Sequence, residues 1–124
     1  MTDKRHVLIV DDEASMRGLL EEIMSGLGFE VTTAVNGEQL IVLSRTLHPD
    51  LILSDVEMPG ISGDSAQVLL HSSPVLRDIP VIFISGISPE AAKSRLTLGA
   101  KERFLPKPVD VEKLEKLVRE LLGS

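Results

Sequence analysis

Asp11, Asp12 and Glu13 follow the apolar run Val7–Val10, and Asp55 follows Leu51–Ser54. Ser85 ends Val81–Ser85, and Lys107-Pro108 comes just after the brief run Arg103–Leu105. Carboxylates gathered within several ångströms resist joint ionisation unless a cation neutralises them. A hard divalent cation with oxygen ligands is the natural partner, and Mg2+ characteristically takes few carboxylates while keeping places for water and a phosphoryl oxygen. A carboxylate such as Asp55 can then act as a nucleophile and form an acyl phosphate. A metal and a lysine neutralise charge on the transferring oxygens, which is most of what that step demands. A small hydroxyl such as that of Ser85 can donate to the bound phosphoryl group. An ionised carboxylate needs no base, and no histidine is placed to serve as one.

Each residue taken alone has a plainer explanation. Asp11-Asp12 could favour the positive end of a helix, worth under about 1 kcal/mol per charge. Asp55 could open the turn Met58-Pro59-Gly60, Ser85 could be a turn hydroxyl, and Lys107 could be a solvated loop lysine. Together they place an acid pair, a lone acid, a hydroxyl and a lysine at separate strand ends, in the order that one mechanism needs. The functional reading therefore prevails for the set.

Those positions matter only if strands deliver them to one place. The runs His6–Val10, Glu30–Val35, Leu51–Ser54 and Val81–Ser85 are largely apolar throughout and rich in β-branched residues, as strands covered on both faces are. Arg103–Leu105 is a weaker fifth. Between them lie helical patterns. Met16, Leu19, Leu20, Ile23, Met24 and Leu27 form one apolar stripe, with Gly26 and Gly28 closing that helix. Asn36 is expected to cap a helix through Leu47; a third helix covers Asp64 to His71, and a fourth Pro89 to Leu98 behind a Ser88 cap. Asp110 is expected to cap the last helix, with Val111, Leu114, Leu117, Val118 and Leu121 inward and Glu112–Lys116 and Glu115–Arg119 paired outside. The alternation predicts an α/β fold, a doubly wound parallel sheet with helices on both faces and ligands at the carboxyl ends of the strands. The first and third strands are neighbours there, so Asp11, Asp12 and Asp55 share a pocket.

Composition narrows the function classes. The chain has 124 residues, 43% hydrophobic and 26% charged, an ordinary globular mix that fits one domain. Its net charge of −6 disfavours nucleic acid and anionic membranes as partners. With no Cys there is no disulfide frame or thiolate site, which permits a cytoplasmic location. Apolar runs stop far short of the roughly 20 residues that cross a bilayer, and the polar start Met1–His6 predicts no signal peptide. No Gly-rich nucleotide loop follows the first strand. Phe29 and Phe83 read as core, and His6, His48 and His71 show no metal-ligand spacing.

The motifs Val-Leu-Ile-Val-Asp-Asp-Glu (7–13), Asp-Leu-Ile-Leu-Ser-Asp-Val-Glu-Met-Pro-Gly (50–60), Ile-Pro-Val-Ile-Phe-Ile-Ser-Gly (79–86) and Gly-Ala-Lys-Glu-Arg-Phe-Leu-Pro-Lys-Pro (99–108) resemble the receiver domain of two-component response regulators. The resemblance spans essentially the whole chain. It implies a single receiver over 1–124 with a flavodoxin-like (βα)5 fold and strand order 2-1-3-4-5. It implies that Asp55 accepts phosphoryl from the phosphohistidine of a sensor histidine kinase or a histidine phosphotransfer protein, and that the chain is a switch rather than a metabolic enzyme. Asp12, Asp55 and the Glu57 backbone carbonyl would ligate Mg2+, with Asp11 acting largely through water. Lys107 would pair with the phosphoryl group, Ser85 would hydrogen-bond it, and the Lys107–Pro108 peptide would be cis. Phe104 would fill space vacated by Ser85, reshaping the fourth helix, fifth strand and fifth helix for a downstream protein effector, as a monomer or a phosphorylation-dependent dimer. One departure stands out, Phe104, which has no hydroxyl; Ser85 replaces the commoner threonine but keeps its hydroxyl, so the coupling should survive. Glu57 and Ile87, two residues past Asp55 and Ser85, would tune dephosphorylation by hindering or repelling water. The alternatives are a small phosphohydrolase of haloacid-dehalogenase-like type, disfavoured by Glu57 where a second aspartate is needed, and a receiver-like docking module that is never phosphorylated.

Overall fold

In the computed structural model, which describes residues 4–123, strands and helices alternate as the sequence patterning predicts. The order is β1 (His6–Val10), α1 (Ala14–Gly26), β2 (Glu30–Ala34), α2 (Gly37–Leu47), β3 (Leu51–Ser54), α3 (Gly63–His71), β4 (Val81–Ser85), α4 (Pro89–Arg95), β5 (Glu102–Pro106) and α5 (Val111–Leu122). All pairings are parallel, and the five-stranded sheet runs β2-β1-β3-β4-β5 with β2 and β5 at its edges.

The side-chain period of two splits the strands between two cores. Leu8, Val10, Ile52 and Phe83 meet Leu40, Ala66, Leu70, Ala92 and Leu96 beneath α2, α3 and α4. Val7, Ile9, Leu51, Leu53, Ile82 and Ile84 meet Leu20, Met24, Leu114 and Val118 beneath α1 and α5. Burying each such aliphatic side chain stabilises by about 1.5–3 kcal/mol, so the inner strands are fixed far more firmly than any surface polar contact could fix them. Among the described residues no helix is long and apolar enough to cross a membrane.

Helix starts follow their caps. Asn36 Oδ1 accepts from Gln39 N–H at 2.9 Å, Ser88 Oγ from Ala91 N–H at 3.1 Å and Asp110 Oδ1 from Lys113 N–H at 3.2 Å. Asp110→Ala should cost about 1 kcal/mol of stability in urea denaturation; an unchanged midpoint would show that this cap contributes nothing.

Several boundaries differ from expectation. The fourth helix ends at Arg95 instead of Leu98, because Leu96 is extended (φ −113°, ψ 150°) and Thr97 is held by Gln67. The second strand stops at Ala34, since Val35 N–H turns aside to Gln39 Oε1 at 2.8 Å. The fifth is longer than its propensity suggests, because β4 supplies partners from Glu102 to Pro106. Gly26 lies inside α1, and the reversal falls at Gly28, whose φ of 94° suits a residue without Cβ. Val111 is exposed at the first position of α5, above the packed turns. On the same helix Glu115 and Arg119 approach to 4.0 Å, the one intrahelical ion pair formed among the described residues; Glu112 and Lys116 do not pair.

Candidate functional site

The register of β1, β3 and β4 delivers the acidic residues to one edge of the sheet. Val10 pairs with Ser54, so the next residues, Asp11 and Asp55, emerge side by side. Backbone bonds fix both: Asp11 N–H donates to Ala34 O at 3.2 Å, and Asp55 N–H donates to Val10 O at 2.9 Å. On the far side Ser85 stands opposite Pro106, and Lys107 N–H donates to Ser85 O at 2.9 Å, which brings the lysine over the same edge. The Lys107–Pro108 peptide is cis, as expected.

Lys107 Nζ sits between the two acids, donating to Asp11 Oδ2 and Asp55 Oδ2 at 3.1 Å each and to Glu13 Oε1 at 3.4 Å. Asp11 is almost completely buried; its Oδ1 accepts from Glu13 N–H at 2.9 Å, and its carbonyl accepts from Arg17 Nη1 at 2.8 Å. Asp55 is also buried, and its Oδ1 accepts from Val56 N–H at 2.6 Å and Glu57 N–H at 3.2 Å. Burial pushes the Asp11 carboxyl above the usual carboxylate range, against the opposing pull of the Glu13 N–H and Lys107. Burial would lower Lys107, yet hydrogen bonds to Asp11 and Asp55 outweigh it and the ammonium is pushed up to about 12.

Asp11, Asp12 and Asp55 each offer a carboxylate oxygen within 4.8 Å of the others, with Asp12 exposed. Three hard oxygen donors on a solvent-facing edge suit Mg2+ better than a soft metal.

The remaining predicted residues surround this triad. Ser85 Oγ is fully buried without a hydrogen-bond partner among the described residues, a condition that costs about 1–3 kcal/mol. Ser44 Oγ on α2 is orphaned too, so the orphan state gains meaning only from Ser85's place at the strand end. Phe104, in register with Phe83, is half-buried and packs with Ile87 against the core under α2–α4. The exposed carboxylate of Glu57 pairs with the Arg95 guanidinium. Arg95 also binds Asp64 at 3.0 and 3.3 Å. Burial would raise Asp64, but Arg95 and the Ser62 hydroxyl hold its carboxyl below the usual range.

Local backbone packing braces the loop after Asp55. A Cβ on Gly63 would collide with the Asp55 carbonyl oxygen and Val56 Cα, and one on Gly37 with the Ile61 carbonyl oxygen. The starts of α2 and α3 thus press directly on the chain that carries Asp55. Sequence reasoning missed these glycines, along with Arg95, Gln67 and the pairing of His71 Nε2 with Glu102 Oε2 at 3.0 Å. The available signal was slight: Gly37 and Gly63 stand just behind the cap positions Asn36 and Ser62.

Comparison with known proteins agrees with this fold. The family model for the response regulator receiver domain matches residues 7–119. The chain is 36% identical over 121 residues to the probable transcriptional regulator ycf27 of Cyanophora paradoxa, covering 97% of this chain and 49% of that protein. It therefore spans about half the length of that relative. It is 29% identical over 120 residues to the polar-differentiation response regulator DivK of Brucella ovis, covering 97% of this chain and 98% of DivK. The solved signal receiver domain of a signal transduction histidine kinase from Syntrophus aciditrophicus superposes with a TM-score of 0.84 at 32% identity, over 96% of this chain and 91% of that one. The receiver-domain match covers most of a chain whose sheet runs 2-1-3-4-5 with an acid triad at the carboxyl ends of its strands, and the chain belongs to the response regulator receiver domain family.

Proposed function

We propose that this receiver, read as one unit over residues 1–124, is a switch in which Asp55 accepts a phosphoryl group from a phosphohistidine of a sensor histidine kinase or histidine phosphotransfer protein. The observation that carries the reading is the convergence of Asp55 Oδ2, Asp11 Oδ2 and Lys107 Nζ at one sheet edge. Two backbone amides hold Asp55 Oδ1, which orients the carboxylate as a nucleophile. In the transfer, an Asp55 oxygen forms the new O–P bond while the donor's N–P bond breaks and its electron pair returns to the imidazole. Asp12, Asp55 and the Glu57 carbonyl are the proposed Mg2+ ligands, with Asp11 acting through water. Bound Mg2+ would offset the acids' charge and that of the phosphoryl oxygens. Lys107 would turn its ammonium from the carboxylates to the phosphoryl group, and Ser85 would donate its unpartnered hydroxyl to it. Movement of Ser85 would open space for Phe104, changing the surface of α4, β5 and α5 offered to a downstream protein.

Incubation with acetyl phosphate and Mg2+ should add about 80 Da, the mass of one phosphoryl group, by mass spectrometry, and Asp55→Asn should take up none. Lack of labelling in the wild type would overturn the reading, and repeated release of phosphate from small esters would favour the phosphohydrolase. Followed over time, the label should decay slowly, because Ile87 shields the acyl phosphate; rapid decay unchanged by Ile87→Ala would remove that role.

A further inference from the structure

Periodicity carries the fourth helix to Leu98, yet it stops at Arg95, and the cause lies on α3. Asp64, Gln67 and His71 are spaced three and four residues apart and share one face of that helix. Each holds a different part of the stretch from the last residue of α4 to the first of β5. Asp64 takes the Arg95 guanidinium. Gln67, 3% exposed, pairs with Thr97 in both directions. Its Nε2 donates to Thr97 O at 2.6 Å, and its Oε1 accepts from Thr97 N–H at 2.9 Å. His71 meets Glu102 Oε2, while Glu102 Oε1 accepts from Gly99 N–H at 3.0 Å.

In a helix running on through Leu98, Thr97 N–H would donate to the Lys93 carbonyl. Gln67 captures that donor instead, and it captures Thr97 O as well. Of the three α3 residues Gln67 is the most buried, and unmaking the contact would leave its amide group without partners. Ala92 and Leu96 pack in the same core cluster as Phe83, Ile87 and Phe104, so the point where α4 stops and the seat of Phe104 are mechanically linked.

We propose that Gln67 is a positioning residue of the switch: by holding Thr97 out of helical register it sets where α4 ends, and its release lets α4 add the turn Leu96–Leu98. The link to phosphorylation rests on the function proposed above, but the clamp itself is tested without any phosphoryl donor. NMR of the unmodified protein should show non-helical Cα shifts at Leu96–Leu98. The Thr97 amide of the unmodified protein should exchange about five- to tenfold more slowly than the same amide in an unstructured peptide, the factor that one net hydrogen bond confers. Both Gln67→Ala and the bulkier Gln67→Leu should move the Leu96–Leu98 shifts to helical values while strand shifts stay put. Helical shifts there in the wild type, or unchanged shifts in the variants, would overturn the proposal. Should both variants fail to fold, an unprotected Thr97 amide in the wild type would overturn it, and a protected one would support it. Acetyl phosphate with Mg2+ should then move the wild-type Leu96–Leu98 signals toward their Gln67→Ala positions, and labelling without such movement would overturn the switch role. Absent labelling beside a behaving clamp would count against the phosphoryl reading alone, leaving the clamp supported.

Discussion

Gly63→Ala is expected to destabilise the protein by about 3 kcal/mol, the upper end of what overpacking costs, and to impair labelling of Asp55. The added Cβ would meet the Asp55 carbonyl oxygen and Val56 Cα, which are main-chain atoms and cannot swing aside as a side-chain tip would. Relief requires α3 to lift at its start, where Gly63 N–H donates to Val56 O at 2.8 Å. The same stretch supplies the Val56 and Glu57 amides that hold Asp55 Oδ1, so stability and nucleophile geometry should fail together. Gly18→Ala is the control: a Cβ there meets nothing, and the change should be neutral or stabilise by up to about 1 kcal/mol, as alanine generally does in a helix. Urea denaturation of both variants checks the pair. A wild-type midpoint for Gly63→Ala would show that the helix start has room to spare.

Lys107→Met should have the second large effect, and its size depends on pH. The substitution removes the cation shared by Asp11 Oδ2 and Asp55 Oδ2 and leaves two buried acids facing each other. Burial already raises the folded-state pKa of Asp11. A carboxyl raised on folding contributes stability that is present below its unfolded pKa and is lost as pH rises through the folded one. Without the lysine the raise grows, so the loss at neutral pH grows with it. Removing one partner of a fully buried ion pair costs about 3–5 kcal/mol, and an open edge lowers this to about 1–3 kcal/mol. The deficit should shrink as pH falls toward about 4, where the unfolded carboxyl itself titrates, and millimolar Mg2+ should restore part of it by binding the folded state. Denaturation across that pH range, with and without the metal, measures this; a deficit independent of pH would refute the electrostatic account. Labelling by acetyl phosphate should slow by about a hundredfold, a usual loss when one preorganised charge-stabilising group is removed.

How far the sequence could be read depended on the range of the forces involved. β1, β3 and β4 begin and end where the apolar runs do, because strands buried on both faces must be apolar along their whole length. The strand-end residues were legible for a related reason: Asp11, Asp55, Ser85 and Lys107 break such runs abruptly. The extent of α4 was not legible, since Ala92 and Leu96 keep helical spacing and nothing local announces a glutamine thirty residues earlier, Gln67, that claims Thr97. Nor was the neutralisation of Glu57 by Arg95, a contact across 38 positions of chain. The close approach of Gly63 was hidden because a glycine before an acidic helix turn looks the same whether it is crowded or free. Val111 was placed inward because periodicity counts a first-turn valine like any other, whereas the first turn of α5 stands clear of the core.

The two edges of the sheet bear on how copies of this protein can meet. An unpaired edge strand is a template for another chain's strand unless charge, proline or covering groups spoil it. β2 opens with exposed Glu30 and has exposed Thr33 as well. On β5, Arg103 folds its guanidinium back onto the Ala100 and Glu102 carbonyls at 3.1 and 2.9 Å, and Pro106 offers no N–H. Neither border invites continuation of the sheet into a neighbour, so growth into fibres by strand addition is discouraged. Pairing of two copies, with or without a phosphoryl group, is directed to helix faces.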